Sequence, residues 1–275
     1  MKKIVILGSD TMAGHIISDY FFNTFNVIKI KESEIFYNEL IRDTFNLEIF
    51  LSANFIVNTI RCLVEDSELN KPKALLYNSY FPKRLESFFQ NSSTKIIHLS
   101  TDCVFSGKNG PYNKKTKFDG VTYYSKTKQL GEINNKKDLT IRASYIGPNI
   151  NNQQEELFDW FLFQEKSISG FKKVLWNGIT TIELAKGIAL LIEKKYCGVY
   201  HLSSDNSISK YDLLILIKSI FKKDINIKQN NSVVLNRIIL DEDKLIKITN
   251  YKSMFLEMYN YMFENNIKYK KYFKA

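Results

Sequence analysis

The chain has 275 residues, 44% of them hydrophobic, and a formal net charge of +10. That length allows one large or two modest domains, while three scattered cysteines (Cys62, Cys103, Cys197) and three scattered histidines (His15, His98, His201) argue against a disulfide framework or a metal centre. The positive charge is spread along a composition rich in Lys, Ile, Asn, Phe and Tyr, which speaks for solvated surface and against a nucleic-acid groove, though it suits attraction of a small anion.

The N-terminus, MKKIVILGSD, starts like a signal peptide, but its apolar run stops after four residues. That is too short for a secretory core or a membrane span, so a buried strand, no membrane insertion and a cytoplasmic protein are expected. The strand ends in GSDTMAG. Glycine between a strand and a helix permits a sharp turn and lets a pyrophosphate approach N–H groups at the helix N-terminus. Gly8, Thr11, Met12 and Gly14 are therefore candidate dinucleotide contacts, with a plain strand–helix turn as the alternative. Thr11 stands where a middle glycine is expected. HIISDYFFNTF supplies the helix and NVIKI the next strand. An acidic residue after that strand would bond the ribose hydroxyls of NAD, and a basic one would favour the 2′-phosphate of NADP. Lys31, in KIKESE, stands where the strand should end, so NADPH is expected, with NADH the alternative.

FIVNTI, KIIHLS and LTIRAS are further apolar strands, and PKALLYNSYFPKRLESFFQ reads as a helix. Strands alternating with helices predict a parallel sheet covered on both faces. HLSTDCVFSG places Ser100 and Thr101 at the carboxyl edge of that sheet. A hydroxyl there can bond a substrate oxygen, or simply close a turn. In YYSKTKQLGE only Tyr124 and Lys128 share a helix face, four residues apart. Tyr80 and Arg84 have the same spacing, about what chance gives with 16 Tyr in the chain, so spacing alone leaves a solvated face open. TIELAKGIALLIEKK and KYDLLILIKSIF have helical apolar periodicity. GVYHLS, near residue 200, reads as a late strand returning to the sheet.

A glycine turn on the first strand, STD after a middle strand and YSKTK 23 residues past Thr101 occur together and in order. In this the chain resembles the extended short-chain dehydrogenase/reductases, closest to the dTDP-4-dehydrorhamnose reductase-like branch of nucleotide-sugar reductases. STDCVFSG, YSKTKQLGE, IRASYIGP and WNGITTIELAK carry the likeness, with Asn78 and Pro82 in NSYFP. The resemblance implies an α/β fold: a Rossmann-type doubly wound parallel sheet over residues 1–150, and a smaller, mainly helical, discontinuous substrate-binding region over 151–275. It implies NAD(P)H-dependent reduction of a nucleotide-linked 4-keto-6-deoxy sugar for surface polysaccharide, by a monomer or homodimer. Thr101, Tyr124 and Lys128 would be catalytic, the lysine also bonding the nicotinamide ribose. Asn58 and Thr59 would line the cofactor, Ser144 and Tyr145 would lie near the nicotinamide, and Ser100, Asp102, Cys103, Trp176 and Asn177 would face the sugar nucleotide. The chemistry agrees: a ketone needs hydride at carbon and a proton at oxygen, and an ammonium beside a tyrosine of pKa about 10 brings it toward the working range.

Two departures bear on the reaction. Related 4,6-dehydratases carry Asp-Glu where this chain has Asp102-Cys103, so dehydration is not expected. Related epimerase-reductases carry a cysteine there with a later histidine, and no His lies between His98 and His201. Cys103 is then a small buried residue, with epimerisation as one rival. A non-catalytic nucleotide-binding subunit, like the methionine adenosyltransferase regulatory subunit, is the other.

Overall fold

Successive residues of the first strand, β1 (Lys3–Leu7), enter different cores. Ile4 and Ile6 pack with Ala13, Ile16, Ile17 and Phe21 of helix α1 (Met12–Phe21). Val5 and Leu7 pack with Phe81, Leu85 and Phe89 of helix α2 (Phe81–Phe89). This period of two, apolar on both sides, is that of a strand covered by helices on both faces. The computed structural model describes residues 1–35, 37–151 and 156–273.

The sheet contains β1, β2 (Asn26–Ile30), β3 (Phe55–Asn58), β4 (Lys95–Ser100), β5 (Leu139–Arg142) and β6 (Gly198–His201), in the order β6-β5-β4-β3-β1-β2, all parallel. From β1 the chain adds β2 on one side and β3 onward on the other. Ligands of such sheets bind at the carboxyl ends where the order reverses, here beside Gly8 and the residues after Asn58.

The expected helix over 72–90 is not continuous: an α-helical turn (Lys71–Leu75) passes through a π-helical one (Leu76–Tyr80) into α2. Pro82 gives the reason. It has no N–H for the carbonyl of Asn78, and its ring would strike that oxygen in a regular α-helix, so the wider turn relieves the clash. Helix α3 (Tyr123–Gly131) docks against this turn. The Asn78 side chain accepts from Cys62 N at 2.9 Å and donates to Thr127 of α3 at 3.2 Å. A Cβ on Gly131 would lie 1.9 Å from the Asn78 carbonyl oxygen. Gly131→Ala must push α3 outward, and overpacking of this kind costs about 1–3 kcal/mol. Urea denaturation should show that loss; an unchanged midpoint would refute this packing.

Beyond residue 150 run helices α4 (Thr181–Glu193), α5 (Lys210–Phe221) and α6 (Tyr251–Glu264), opened by Thr180, Ser209 and Asn250, whose side chains accept from N–H groups three residues on. Among them lie strands too short to show a period in sequence. Ile168–Phe171 pairs with Ile227–Asn230, and Val174–Trp176 lies between Ile208–Ser209 and Leu235–Asn236. Among the described residues no helix is long and apolar enough to cross a membrane, and no cluster of His, Cys, Asp or Glu could hold a metal ion.

Candidate active site

The turn after β1 depends on two glycines and a threonine. Gly8 has φ +81°, and a Cβ there would lie 2.6 Å from the Thr59 hydroxyl. A Cβ on Gly14 would lie 1.9 Å from the Gly8 carbonyl oxygen. Thr11 explains its place in the motif. Its hydroxyl donates to Gly8 O at 2.8 Å and accepts from Gly14 N at 3.0 Å, so it caps α1 and closes the turn at once.

Thr101, Tyr124 and Lys128 converge from two directions. Thr101 follows β4, with its hydroxyl accepting from Cys103 N at 3.1 Å and donating to the Asp102 carboxylate at 3.2 Å, and it lines the same cavity as Tyr124. Thr122 caps α3, accepting from Ser125 N at 3.0 Å, and this fixes the first turn that carries Tyr124. Lys128 is 2% exposed and donates to the Leu99 carbonyl at 2.8 Å. Burial holds the Tyr124 phenol well above its ordinary pKa, and Cys103 adds to this; Arg61 and the Thr101 hydroxyl pull the other way. Burial also pushes Lys128 down to about 7, with Arg61 adding and Glu132 opposing. Desolvation therefore outweighs the expected lowering of the tyrosine by its lysine. Tyr124 stays phenolic at neutral pH, which is the form that donates a proton.

A cavity of about 610 Å³ brings together Met12, Ser100, Thr101, Asp102, Cys103, Tyr124, Lys128, Ser144, Tyr145 and Trp176. Burial, reinforced by Asp102, pushes the Cys103 thiol up to about 12, and Arg237 donates to its sulfur at 3.6 Å. Trp176 donates to the Ser144 hydroxyl at 2.8 Å, with Tyr251 stacked 5.8 Å away and the Lys210 ammonium 4.9 Å from the ring centre. A second cavity, about 420 Å³, is lined by Asp10, Thr11, Met12, Glu32, Ser33 and Lys73 among others. Met12, Arg61, Leu63 and Glu156 line both cavities and form the neck between them.

Several expected contacts lie outside these linings. Asn58 bonds His98 at 3.2 Å and Ile60 N at 3.1 Å, and Thr59 donates to Leu7 O at 2.8 Å; both support the strand ends. Asn177 donates to the carbonyls of Ser204 and Ile239. Lys31 is exposed, because its N–H bonds the Glu34 carboxylate at 2.6 Å and starts a 3₁₀ turn (Glu32–Glu34) that presents Glu32 to the cavity in its stead. Burial raises the pKa of that Glu32 carboxyl, against the pull of Arg61. Sequence reasoning missed Arg61 and Lys210. The first comes three residues after β3, on the carboxyl side of the sheet, a positional signal. The second stands at the start of α5 and carries none.

The sequence profile described as the RmlD substrate binding domain matches residues 2–233. A "dTDP-4-keto-6-deoxy-D-glucose reductase" of Streptomyces niveus is 26% identical over 159 residues, 54% of each chain. A "spore coat polysaccharide biosynthesis protein" of Bacillus subtilis is 27% identical over 161 residues, 56% of each. The matched part thus spans about half the length of these curated relatives. Among solved structures, a dTDP-4-dehydrorhamnose reductase of Bacillus anthracis in complex with NADP superposes with a TM-score of 0.82 at 16% identity, covering 95% of this chain and all of that one.

Proposed function

We propose, from the premise that this chain belongs to the RmlD substrate binding domain family, that it is an NAD(P)H-dependent reductase of a nucleotide-linked 4-keto-6-deoxy sugar, supplying a sugar for surface polysaccharide. The observation that carries the reading is the meeting of Thr101, Tyr124 and Lys128 in one cavity that adjoins the glycine turn. The residues fit a dinucleotide: Gly8 and Gly14 leave no room for a Cβ, α1 points its N-terminus at the turn, and two cavities joined by a neck give space for its two halves. When bound, the reduced nicotinamide supplies the hydride. Thr101 holds the sugar carbonyl and orients Tyr124, which gives its proton to the developing alkoxide. The Lys128 ammonium stabilises the phenolate left behind and would hold the nicotinamide ribose. Ser144 and Tyr145 would lie near a bound nicotinamide, while Ser100, Asp102, Cys103 and Trp176 would shape the sugar site. Both NADPH and NADH stand as the proposed cofactor, since Glu32 lines the cavity and Lys31 does not.

We assign the dinucleotide to residues 1–150 together with the strand near 198–203, and the sugar nucleotide mainly to 151–275, in a cytoplasmic monomer or homodimer. The experiment is a turnover screen over dTDP-, UDP-, GDP- and CDP-linked 4-keto sugars with both cofactors. Run in deuterated water, the product should carry no solvent deuterium at carbons 3 or 5. A thiol pushed up to about 12 stays protonated at neutral pH and is a poor base for removing those protons. Incorporation that vanishes in Cys103→Ser would establish the epimerase-reductase. Absence of turnover on every sugar would favour the non-catalytic subunit.

Activity should fall with rising pH. Lys128, with its pKa at about 7, is charged below that pH and neutral above it. Loss of its charge removes the stabilisation of the phenolate, so kcat should decline about tenfold per pH unit on the alkaline side. A kcat profile flat from pH 6 to 9 would contradict this role.

A further inference from the structure

Arg61 stands at the neck between the two cavities, beside Met12, the first residue of α1. Its guanidinium donates to the Glu156 carboxylate and to the Tyr145 hydroxyl, and lies 5.2 Å from the centre of the Tyr145 ring. The arginine side chain is 11% exposed and that of Glu156 is 14% exposed. Among the described residues three other cations line the cavities, all placed differently. Lys73 is tied to Asp66 at 2.6 Å, Lys128 is buried and bonded to the Leu99 carbonyl, and Lys210 sits over Trp176. A dinucleotide that fills both cavities must pass its diphosphate through the neck, where Arg61 is the cation.

We propose that Arg61 is the diphosphate ligand of the dinucleotide and that it exchanges partners: the Glu156 carboxylate holds it first, and the diphosphate displaces that carboxylate. The inference rests on the dinucleotide reading of the site and adds to it a residue and a competitor. The exchange follows from the chemistry of the groups. A guanidinium presents a rigid fork of donors that matches phosphate oxygens as well as a carboxylate. A diphosphate brings two negative charges against one. A mostly buried arginine left without an anion would be strongly unfavourable, and exchange leaves it paired at every stage. Glu156 immediately precedes the helix Leu157–Leu162, and Leu157 lines the cavity that holds Tyr124. Release of the carboxylate therefore reports dinucleotide binding to the wall of the sugar site.

The competition makes an unusual prediction: removing the charge of Glu156 should improve binding, because the diphosphate no longer displaces a rival. Calorimetric titration of the full chain with NADPH, NADH, ADP-ribose and AMP tests this. ADP-ribose carries the diphosphate without the nicotinamide, and AMP carries a single phosphate. Arg61→Met should weaken ADP-ribose about 10- to 100-fold, the loss expected of one charge-assisted contact, and change AMP less than about twofold. Glu156→Gln should tighten ADP-ribose severalfold and leave AMP unchanged. Arg61→Lys, which keeps the charge, should fall between wild type and Arg61→Met, and melting curves confirm that each variant is folded. Arg61→Met binding ADP-ribose as wild type does, losing AMP equally, or Glu156→Gln weakening the diphosphate ligand would each overturn the exchange. Failure of the unaltered chain to bind either nicotinamide dinucleotide would instead remove the reading of the site beneath it.

Discussion

Tyr124→Phe should lower kcat by roughly 10²- to 10⁴-fold, the range expected when a positioned proton donor is removed. The substitution deletes one oxygen from a side chain that is 7% exposed and leaves its ring packing in place. Dinucleotide binding should change less than about twofold, because Lys128 keeps its bond to Leu99 O and the glycine turn is untouched. Lys128→Met should behave differently, harming both turnover and cofactor affinity. The two variants together separate proton donation from cofactor binding. Turnover of Tyr124→Phe near that of the unaltered chain would remove the tyrosine from the mechanism.

The second large effect concerns the nucleotide on the substrate. The free keto sugar should react with a kcat/KM about 10²- to 10⁴-fold below that of its nucleotide-linked form, corresponding to two charge-assisted contacts to a diphosphate. Lys210 lines the cavity, and Arg237 bonds the sulfur of Cys103 in its wall. Lys210 lines both the main cavity and a neighbouring one of about 490 Å³ walled by Trp160, Phe171 and Leu214. Burial pushes its ammonium down to about 8, with Asp102 the leading opposing influence, so it is still mostly charged at neutral pH. Remote binding of this kind positions the keto carbon for reaction. The indole of Trp176 is poorly suited to stacking on a base, since Lys210 and Tyr251 flank it. Added salt should weaken inhibition by a nucleoside diphosphate. Equal efficiency on both sugar forms would leave a general carbonyl reductase.

The parts of this site that were legible in sequence are those tied to a strand end. Gly8 and Thr101 each follow an apolar run that reads as a strand, Ser100 ends one, and such ends gather at one edge of a parallel sheet. Tyr124 and Lys128 were legible as a pair, because four residues make one helical step. Their electrostatics were not. Spacing describes the attraction between a phenolate and an ammonium, whereas burial, a property of the whole fold, dominates both pKa values. Lys210 was hidden for a similar reason, being brought to Asp102 and Cys103 by packing across more than a hundred residues. Lys31 misled because the extended run ends one residue before it, and the next turn faces it to solvent. The π-helical turn was in principle readable from Pro82, since a proline inside a helix leaves the fourth carbonyl before it without a donor.

The alternation of β1 between two apolar cores has a consequence for how the chain finds its register. In a strand with one wet face, a slip of one residue exposes every apolar side chain and is penalised at once. Both faces of β1 accept aliphatic residues, so Ile4 and Ile6 could trade places with Val5 and Leu7 at little cost in polarity. What forbids the slip is the residue that follows. Gly8 holds φ +81° against the Thr59 side chain, and a shift in either direction would force Leu7 or Ser9 into that conformation. The turn that serves the ligand therefore also pins the alignment of the strand that leads the whole sheet.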